Sequence, residues 1–136
     1  MQENDSKSLS MSEDQATIMV VDDDTYSVEF LSEILARQGY NVRAEEDPGA
    51  ALQSALSDPP DLVLLDIRMP GMDGFTVVEK LLAVNIVIPT IIISAQTDKE
   101  TVLKCKKINA VAFLPKPIDF VKCLDRLEAI RLGIIS

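Results

Sequence analysis

Four groups of polar side chains stand at the ends of short apolar runs and could do chemistry together. Three consecutive aspartates, residues 22–24, follow the first run, and Asp66 follows a later one. Two further runs lead to Ser94 and Lys116. Neighbouring carboxylates repel one another, so such a cluster is typical of a cation site, and oxygen ligands suit a hard ion such as Mg²⁺.

A carboxylate with a divalent cation and an ammonium group beside it can attack a phosphoryl group. The two cations neutralise the phosphoryl oxygens, and the product is an aspartyl phosphate. The residue types therefore indicate Mg²⁺-dependent phosphoryl transfer to an aspartate. Each position also has a simpler interpretation: residues 22–24 as a turn and helix cap, Asp66 as a loop residue, Ser94 as a strand end and Lys116 as a surface cation.

The composition excludes several other kinds of chemistry. The 136 residues include no histidine, which rules out Ser-His-Asp and Cys-His catalysis and histidine-ligated zinc. With 13 basic and 22 acidic residues the net charge is −9, which argues against nucleic-acid binding by bulk electrostatics. Cys105 and Cys123 do not form a CxxC motif and are expected to be buried helix residues, as in a reducing compartment.

The elements that must position these side chains alternate between strand and helix patterns. The strand patterns cover residues 17–22, 40–44, 62–65, 89–93 and 110–114, and the helix patterns cover residues 25–38, 48–57, 75–83, 98–107 and 119–130. Within the helix over residues 75–83, Phe75, Val78 and Leu82 have the spacing of a stripe that faces the core.

Turn and capping residues mark where the helices begin and end. Gly39 has the position of a glycine just beyond a helix end, and Asp47 with Pro48 is typical of an N-cap followed by proline at the first helical position. Asp24 and Asp73 are expected to cap two other helices.

Strict alternation of five strands with five helices indicates an α/β fold with a parallel sheet and right-handed crossovers. Helices must cover both faces of the sheet, because the strands are apolar runs rather than alternating ones. In open sheets of this kind, ligands bind outside the carboxyl ends of the strands. The polar groups described above all lie at that rim.

The sequence resembles a known family, the response-regulator receiver domain of two-component signalling, including its chemotaxis-regulator-like members. The matching segments are VVDDD (residues 20–24), DLVLLDIRMPGMDG (61–74), IIISA (91–95) and FLPKP (113–117), and the resemblance covers residues 17–130. It implies a flavodoxin-like three-layer sandwich, with a doubly wound five-stranded parallel sheet in the order 2-1-3-4-5.

The resemblance also implies roles for the acidic residues. Asp66 is expected to accept the phosphoryl group, and Asp22, Asp23, Asp66 and the backbone carbonyl of Arg68 are expected to form the Mg²⁺ site. Within that site the resemblance implies that Asp23 binds the ion directly and Asp22 binds it through a water molecule.

The remaining site residues follow from the same resemblance. Ser94 is expected to bond a phosphoryl oxygen and to take part in the switch with Phe113, and Lys116 is expected to pair with the phosphoryl group. The peptide bond between Lys116 and Pro117 is expected to be cis.

Four positions depart from the common family pattern or are variable within it. The switch aromatic is often tyrosine but is Phe113 here, and a common glycine before the fifth strand is replaced by Asn109, which also tolerates left-handed backbone. Arg68 and Gln96 are variable positions that affect the lifetime of the acyl phosphate.

The expected function is that of a phosphorylation-controlled switch. A sensor histidine kinase or phosphotransfer protein would donate the phosphoryl group from a phosphohistidine, and the face over residues 98–130 would change for a downstream effector or output domain. The protein would catalyse only its own phosphorylation and dephosphorylation. We expect no direct contact with nucleic acid or membrane, and a phosphorylation-dependent homodimer is one form that the switch could take.

Two alternatives stay open. A haloacid-dehalogenase-like phosphatase also uses a strand-end aspartate, Mg²⁺ and a lysine, but its DxDx[TV] motif is off by one, with Tyr26 where threonine or valine is required. It also needs a late acidic pair, where this chain has Pro115-Lys116-Pro117. A receiver-like module that binds partners without phosphorylation typically lacks the equivalents of Asp66 or Lys116.

The chain is expected to be one receiver domain over residues 16–136, preceded by a disordered tail over residues 1–15. That tail is rich in polar residues and has no apolar segment of the kind found in signal peptides. The longest nearly apolar stretch, residues 86–93, is far below the ~20 residues needed to cross a bilayer. We therefore expect a cytoplasmic location.

Overall fold

The structure, a computed structural model, describes residues 16–68 and 73–131. The predicted disordered tail and the loop residues 69–72 lie outside the described residues. The strands are β1 (Thr17–Val21), β2 (Asn41–Glu45), β3 (Leu62–Asp66), β4 (Thr90–Ser94) and β5 (Ala112–Pro115), and the helices are α1 (Thr25–Arg37), α2 (Pro48–Ser57), α3 (Gly74–Ala83), α4 (Lys99–Lys107) and α5 (Phe120–Arg131).

All neighbouring strands pair in parallel, in the order β2-β1-β3-β4-β5. This confirms the expected fold class, an α/β flavodoxin-like sandwich with a doubly wound five-stranded sheet. Helices α1 and α5 contribute to the core on one face of the sheet, and α2, α3 and α4 contribute to the core on the other. No helix in the two described stretches is long and apolar enough to cross a membrane.

The central strands are apolar along their whole length because each face supplies one core. Along β1, Ile18 and Val20 join the core under α1 and α5, whereas Met19 and Val21 join the core under α2, α3 and α4. All four side chains are at most 1% exposed. Successive residues of a strand point to opposite faces, so a sheet covered on both sides needs apolar residues at every position.

Three strands begin later than their sequence patterns predicted. Strand β4 begins at Thr90 rather than at Pro89, and in β2 and β5 turn hydrogen bonds hold the preceding residues. Tyr40 was expected to open β2, but its N–H donates to the carbonyl of Leu35 at 3.3 Å, at the end of α1. Ala110 was expected to open β5, but its N–H donates to the carbonyl of Cys105 at 3.0 Å, at the end of α4. A periodicity of apolar residues cannot reveal such turns.

Most of the boundary signals are confirmed. Asp47 and Asp73 accept hydrogen bonds from the N–H groups of Ala50 and Thr76, so both cap their helices through the side chain. Gly39 has a φ of 97°, which a glycine adopts without steric cost. Asp24 occupies the N-cap position of α1, but its carboxylate accepts from the hydroxyl of Ser27 rather than from a backbone N–H.

The core-facing stripe of α3 differs in part from the predicted one. Phe75 and Val78 are buried as expected, but Val77 and Leu81 are buried as well and Leu82 is only half-buried. The buried stripe of α3 is therefore wider than predicted, and it is shifted by about one residue toward the start of the helix. The expected burial of both cysteines is confirmed, and neither forms a disulfide.

Candidate functional site

The strand register places the polar residues of the sequence patterns at one rim of the sheet. Val21 of β1 pairs with Leu65 of β3, so Asp22 and Asp66 follow these partners side by side. Likewise Ser94 of β4 pairs with Pro115 of β5, and Lys116 comes next along the chain. The rim therefore joins side chains that are up to 94 positions apart in the sequence.

The Lys116 ammonium group connects two buried carboxylates. Its Nζ lies 3.1 Å from Oδ2 of Asp22 and 3.1 Å from Oδ2 of Asp66. The two aspartates are 5% and 4% exposed. One ammonium group thus faces two carboxylates that are shielded from water, and it cannot neutralise both.

Backbone N–H groups hold the second oxygen of each carboxylate. Oδ1 of Asp22 accepts from the N–H of Asp24 at 3.0 Å, and Oδ1 of Asp66 accepts from the N–H of Arg68 at 3.1 Å. In each case the donor lies two residues further along the chain. These short loops fix the orientation of both carboxylates while leaving the side chains aimed at the same lysine.

A third carboxylate completes an all-oxygen cluster. Carboxylate oxygens of Asp22, Asp23 and Asp66 lie within 4.8 Å of one another, and Asp23 is exposed whereas the other two are buried. Within residues 16–68 and 73–131, Asp23 has no hydrogen-bond or ion-pair partner. An oxygen-only donor set of this size, with excess negative charge and one member open to solvent, fits Mg²⁺.

The surroundings make Asp66 a weaker acid than usual. Burial, together with the charge of the neighbouring Asp22, raises the pKa of Asp66 to about 6, against the opposing effects of the Arg68 N–H and of Lys116. Burial lowers the pKa of Lys116, but its hydrogen bond to Asp22 and the charges of both aspartates outweigh burial, and the net pKa lies above the ordinary value.

Ser94 is fully buried beside this cluster. Its carbonyl accepts from the N–H of Lys116 at 2.9 Å, which ties the end of β4 to the lysine. Its hydroxyl oxygen accepts from the N–H of Gln96 at 2.9 Å. The peptide bond between Lys116 and Pro117 is cis, as the resemblance implied.

A contact that the sequence pattern did not predict joins two loops over the site. Arg68 Nε donates to Oε1 of Gln96 at 3.2 Å, and both side chains are exposed. Each residue lies two positions beyond a strand-end polar residue, and β3 and β4 are neighbours in the sheet. That shared offset is the signal that could have predicted the contact.

Phe113 lies on β5, three residues before Lys116. It is half-buried and packs against the core that contains Cys105 and Ile108 at the end of α4. Asn109, directly after α4, has a φ of 59°, which confirms the expected left-handed backbone at this position. Phe113 therefore joins the strand that leads to Lys116 with the core under α4.

Comparison with known proteins gives consistent results. The family model of the response regulator receiver domain matches residues 18–128. The chain is 37% identical over 119 residues to the transcriptional regulatory protein ZraR of Escherichia coli (strain K12), covering 88% of this chain and 26% of ZraR. It is 38% identical over 117 residues to the response regulator PleD of Caulobacter vibrioides, covering 85% of this chain and 26% of PleD.

Among solved structures, the receiver domain of HemR from Leptospira biflexa superimposes with a TM-score of 0.79 at 29% identity, covering 85% of this chain and 94% of that domain. The chain spans about a quarter of the length of the two regulators named above. The fold, the acidic cluster with its lysine and the match over residues 18–128 agree, and the chain belongs to the response regulator receiver domain family.

Proposed function

We propose that this receiver domain accepts a phosphoryl group from a phosphohistidine onto Asp66. The observation that carries the proposal is the Asp66 carboxylate itself. It is 4% exposed, pairs with Lys116 at 3.1 Å and lies within 4.8 Å of two further carboxylates. Such a group has an ammonium partner ready for an incoming phosphoryl group and a place for a cation on its other side.

The step forms one bond and breaks another. A carboxylate oxygen of Asp66 attacks phosphorus, the P–N bond to the donor imidazole breaks, and the imidazole leaves with the electron pair and takes up a proton. The attacking group must be ionised, and a pKa of about 6 leaves it mostly ionised at neutral pH. Lys116 then transfers its hydrogen bond from Asp66 to a phosphoryl oxygen.

The residues that would hold Mg²⁺ are Asp22, Asp23, Asp66 and the carbonyl of Arg68. When bound, the ion supplies charge stabilisation for the phosphoryl oxygens. Asp23 has an exposed carboxylate with no partner among the described residues, and we assign it to direct coordination. Asp22 already bonds Lys116 and a backbone N–H, which suits a contact through water.

The switch in this proposal runs from Ser94 to Phe113. The Ser94 hydroxyl would turn toward a phosphoryl oxygen, which would draw the β4–α4 loop toward Asp66. Phe113 is half-buried and packs beside α4, so it can follow that movement. The surface made of α4, β5 and α5, here called the output face, would change as a result.

The wider setting is part of the same proposal. The donor is a sensor histidine kinase or a phosphotransfer protein, and the signal passes to a downstream effector or output domain. The chain acts on itself alone rather than as an enzyme on other substrates, within the cytoplasm. The domain spans residues 16–136, and the match of the family model to residues 18–128 supports these bounds.

Labelling with acetyl phosphate tests the proposal. With Mg²⁺, wild-type protein should gain one phosphoryl group that is stable in acid and labile in base, and Asp66→Asn should gain none. Intact-mass spectrometry measures the label. Asp58→Asn serves as the control because Asp58 is exposed and precedes the amino end of β3, whereas Asp66 lies at the carboxyl end. Equal labelling of Asp66→Asn would contradict the assignment, and continuous turnover of p-nitrophenyl phosphate would favour the phosphatase alternative.

A further inference from the structure

The charge of the chain is divided unevenly between its two parts. Residues 99–131 contain eight basic and four acidic residues, a net charge of +4, although the whole chain has a net charge of −9. Residues 1–98 contain five basic and 18 acidic residues, a net charge of −13. The basic part is the part that builds α4, β5 and α5, the output face defined above.

Four basic side chains of the output face have no partner within the described residues, although Arg131 on the same face pairs with Glu128. Within residues 16–68 and 73–131, Arg37 and Arg43 form ion pairs with acidic residues, and Lys116 pairs in the site. By contrast, the exposed residues Lys99, Lys106, Lys122 and Arg126 have neither an ion pair nor a hydrogen bond through the side chain within that described part.

The helical spacing puts two of these cations on one side of α4 with an exposed apolar residue. Thr101 and Cys105 face the core, and Lys104 lies over the ring of Phe75 on the α3 side. The outward side of the helix is then occupied by Lys99, Leu103 and Lys106, which are one turn apart. Leu103 is 54% exposed.

The other two cations lie on the side of α5 that is turned away from α1. Phe120 packs edge-on against Phe30 of α1, with ring centroids 5.0 Å apart. Lys122 and Arg126 are four residues apart on the opposite flank, toward the sheet edge formed by β5. The two helices that pack on either side of the edge strand β5 thus each carry two cations that are unpaired within the described residues.

We propose that the downstream partner presents an acidic segment with an apolar side chain, which docks on the output face. Its carboxylates would pair with Lys99, Lys106, Lys122 and Arg126, and its apolar side chain would cover Leu103. This inference rests on the proposed function for its link to phosphorylation. Charge complementarity of this kind guides encounter and partner choice.

Double-stranded DNA and a second copy of the chain fit the output face less well than an acidic segment does. Double-stranded DNA carries about one charge per 1.7 Å and extends well beyond one face, so the net charge of −13 on the remaining chain would repel it. A symmetric dimer through this face would bring together two copies of a part that carries a net charge of +4, with eight basic and four acidic residues in each copy. A short acidic segment meets neither difficulty.

Fluorescence anisotropy with synthetic probes tests the inference on the full chain. The main probe is a labelled peptide of glutamate, leucine and serine, with matched peptides in which glutamine replaces glutamate or serine replaces leucine. A DNA duplex of about 20 base pairs is the fourth probe. Each is titrated with and without acetyl phosphate and Mg²⁺, at low and near-physiological salt.

Wild-type protein should prefer the acidic, leucine-containing peptide over the glutamine peptide by about tenfold at low salt, and less at higher salt. The double variants Lys99→Gln/Lys106→Gln and Lys122→Gln/Arg126→Gln should each weaken binding severalfold. The control Arg37→Gln/Lys80→Gln changes the net charge equally outside the output face and should bind like wild type.

Several results would overturn the inference: no preference for the acidic peptide, the same loss in the control, or tighter binding of the DNA duplex. Dimerisation in sedimentation experiments that the output-face variants abolish, without peptide binding, would assign the face to a second copy. Labelling of Asp66 is measured in parallel. Normal labelling without peptide binding would defeat only this inference, whereas absent labelling in wild-type protein would defeat the proposed function.

Discussion

Two clusters of charged side chains, one around Arg43 and one around Lys116, differ in how far opposite charges and hydrogen bonds compensate each charged group. On the edge strand β2, Arg43 donates to the carbonyl of Asp58 at 2.7 Å and to the hydroxyl of Ser54 at 3.0 Å, with the Asp58 carboxylate at 3.4 Å. At the rim, one ammonium from Lys116 faces a cluster of three carboxylates.

This difference indicates that the cluster around Arg43 is structural, whereas the cluster around Lys116 is suited to binding a ligand. The guanidinium group of Arg43 donates hydrogen bonds to acceptors at the end of α2, and no further ligand is required to complete this cluster. The rim keeps two carboxylates buried with excess negative charge, an arrangement that costs stability unless a cation arrives. Replacements in each cluster should therefore respond differently to pH and to Mg²⁺.

Lys116→Met should have the largest effect. Without the ammonium group, Asp22 and Asp66 are buried without a counter-charge, and the free energy of unfolding should fall by about 3 kcal/mol at pH 7 without Mg²⁺. Lys116 lowers the pKa of Asp66, so its loss raises that pKa further and protonation relieves the repulsion. Urea unfolding at pH 7 and pH 5 should show a smaller loss at pH 5, and equal losses would contradict this explanation.

Arg43→Met should reduce the free energy of unfolding by about 2 kcal/mol, because the carbonyl oxygens at the end of α2 lose a charged donor. The loss should be the same at pH 7 and pH 5, since the one carboxylate that Arg43 contacts is largely exposed. The same urea titrations measure it, with Arg37→Met as the matched control for an exposed arginine. A marked pH dependence would mean that the two clusters are not distinct.

Asp66→Asn should stabilise the protein without Mg²⁺ by about 1 kcal/mol at pH 7. The folded protein has a pKa of about 6 at Asp66, above the ordinary value of 3.8, so the ionised form is disfavoured in the folded state. The cost is present above pH 6 and disappears as both states become protonated below 3.8. The difference between variant and wild type should therefore shrink as the pH falls, and a constant difference would argue against burial as the cause.

Much of the fold follows from local patterns, because buried parallel strands must be apolar throughout and because Asp47, Asp73 and Gly39 have strong boundary preferences. The strand order, by contrast, does not follow from local patterns. Alternation of strands and helices predicts a parallel sheet, but the order 2-1-3-4-5 came only with the family resemblance. The starts of β2 and β5 were missed because backbone hydrogen bonds of Tyr40 and Ala110 decide them.

The site was predictable in its residue types but not in its contacts. Carboxylates, a hydroxyl and an ammonium group at strand ends are enough to indicate the chemistry from the sequence alone. The cluster around Arg43 had no comparable signal, since two of its acceptors are backbone carbonyls. The shifted pKa of Asp66 depends on burial and on which oxygens are bonded, and neither is visible in a one-dimensional pattern.

Urea unfolding of wild-type and Asp23→Asn proteins across a range of Mg²⁺ concentrations tests whether the rim is an incomplete charge cluster that a cation completes. Wild-type stability should rise with the logarithm of the Mg²⁺ concentration above the dissociation constant. Asp23→Asn should lose most of that rise, yet without Mg²⁺ it should be as stable as wild type or more stable by up to about 1 kcal/mol. An Asp23→Asn protein that is clearly less stable without Mg²⁺, or that keeps the full Mg²⁺ response, would show that Asp23 does not belong to a cation site at the rim.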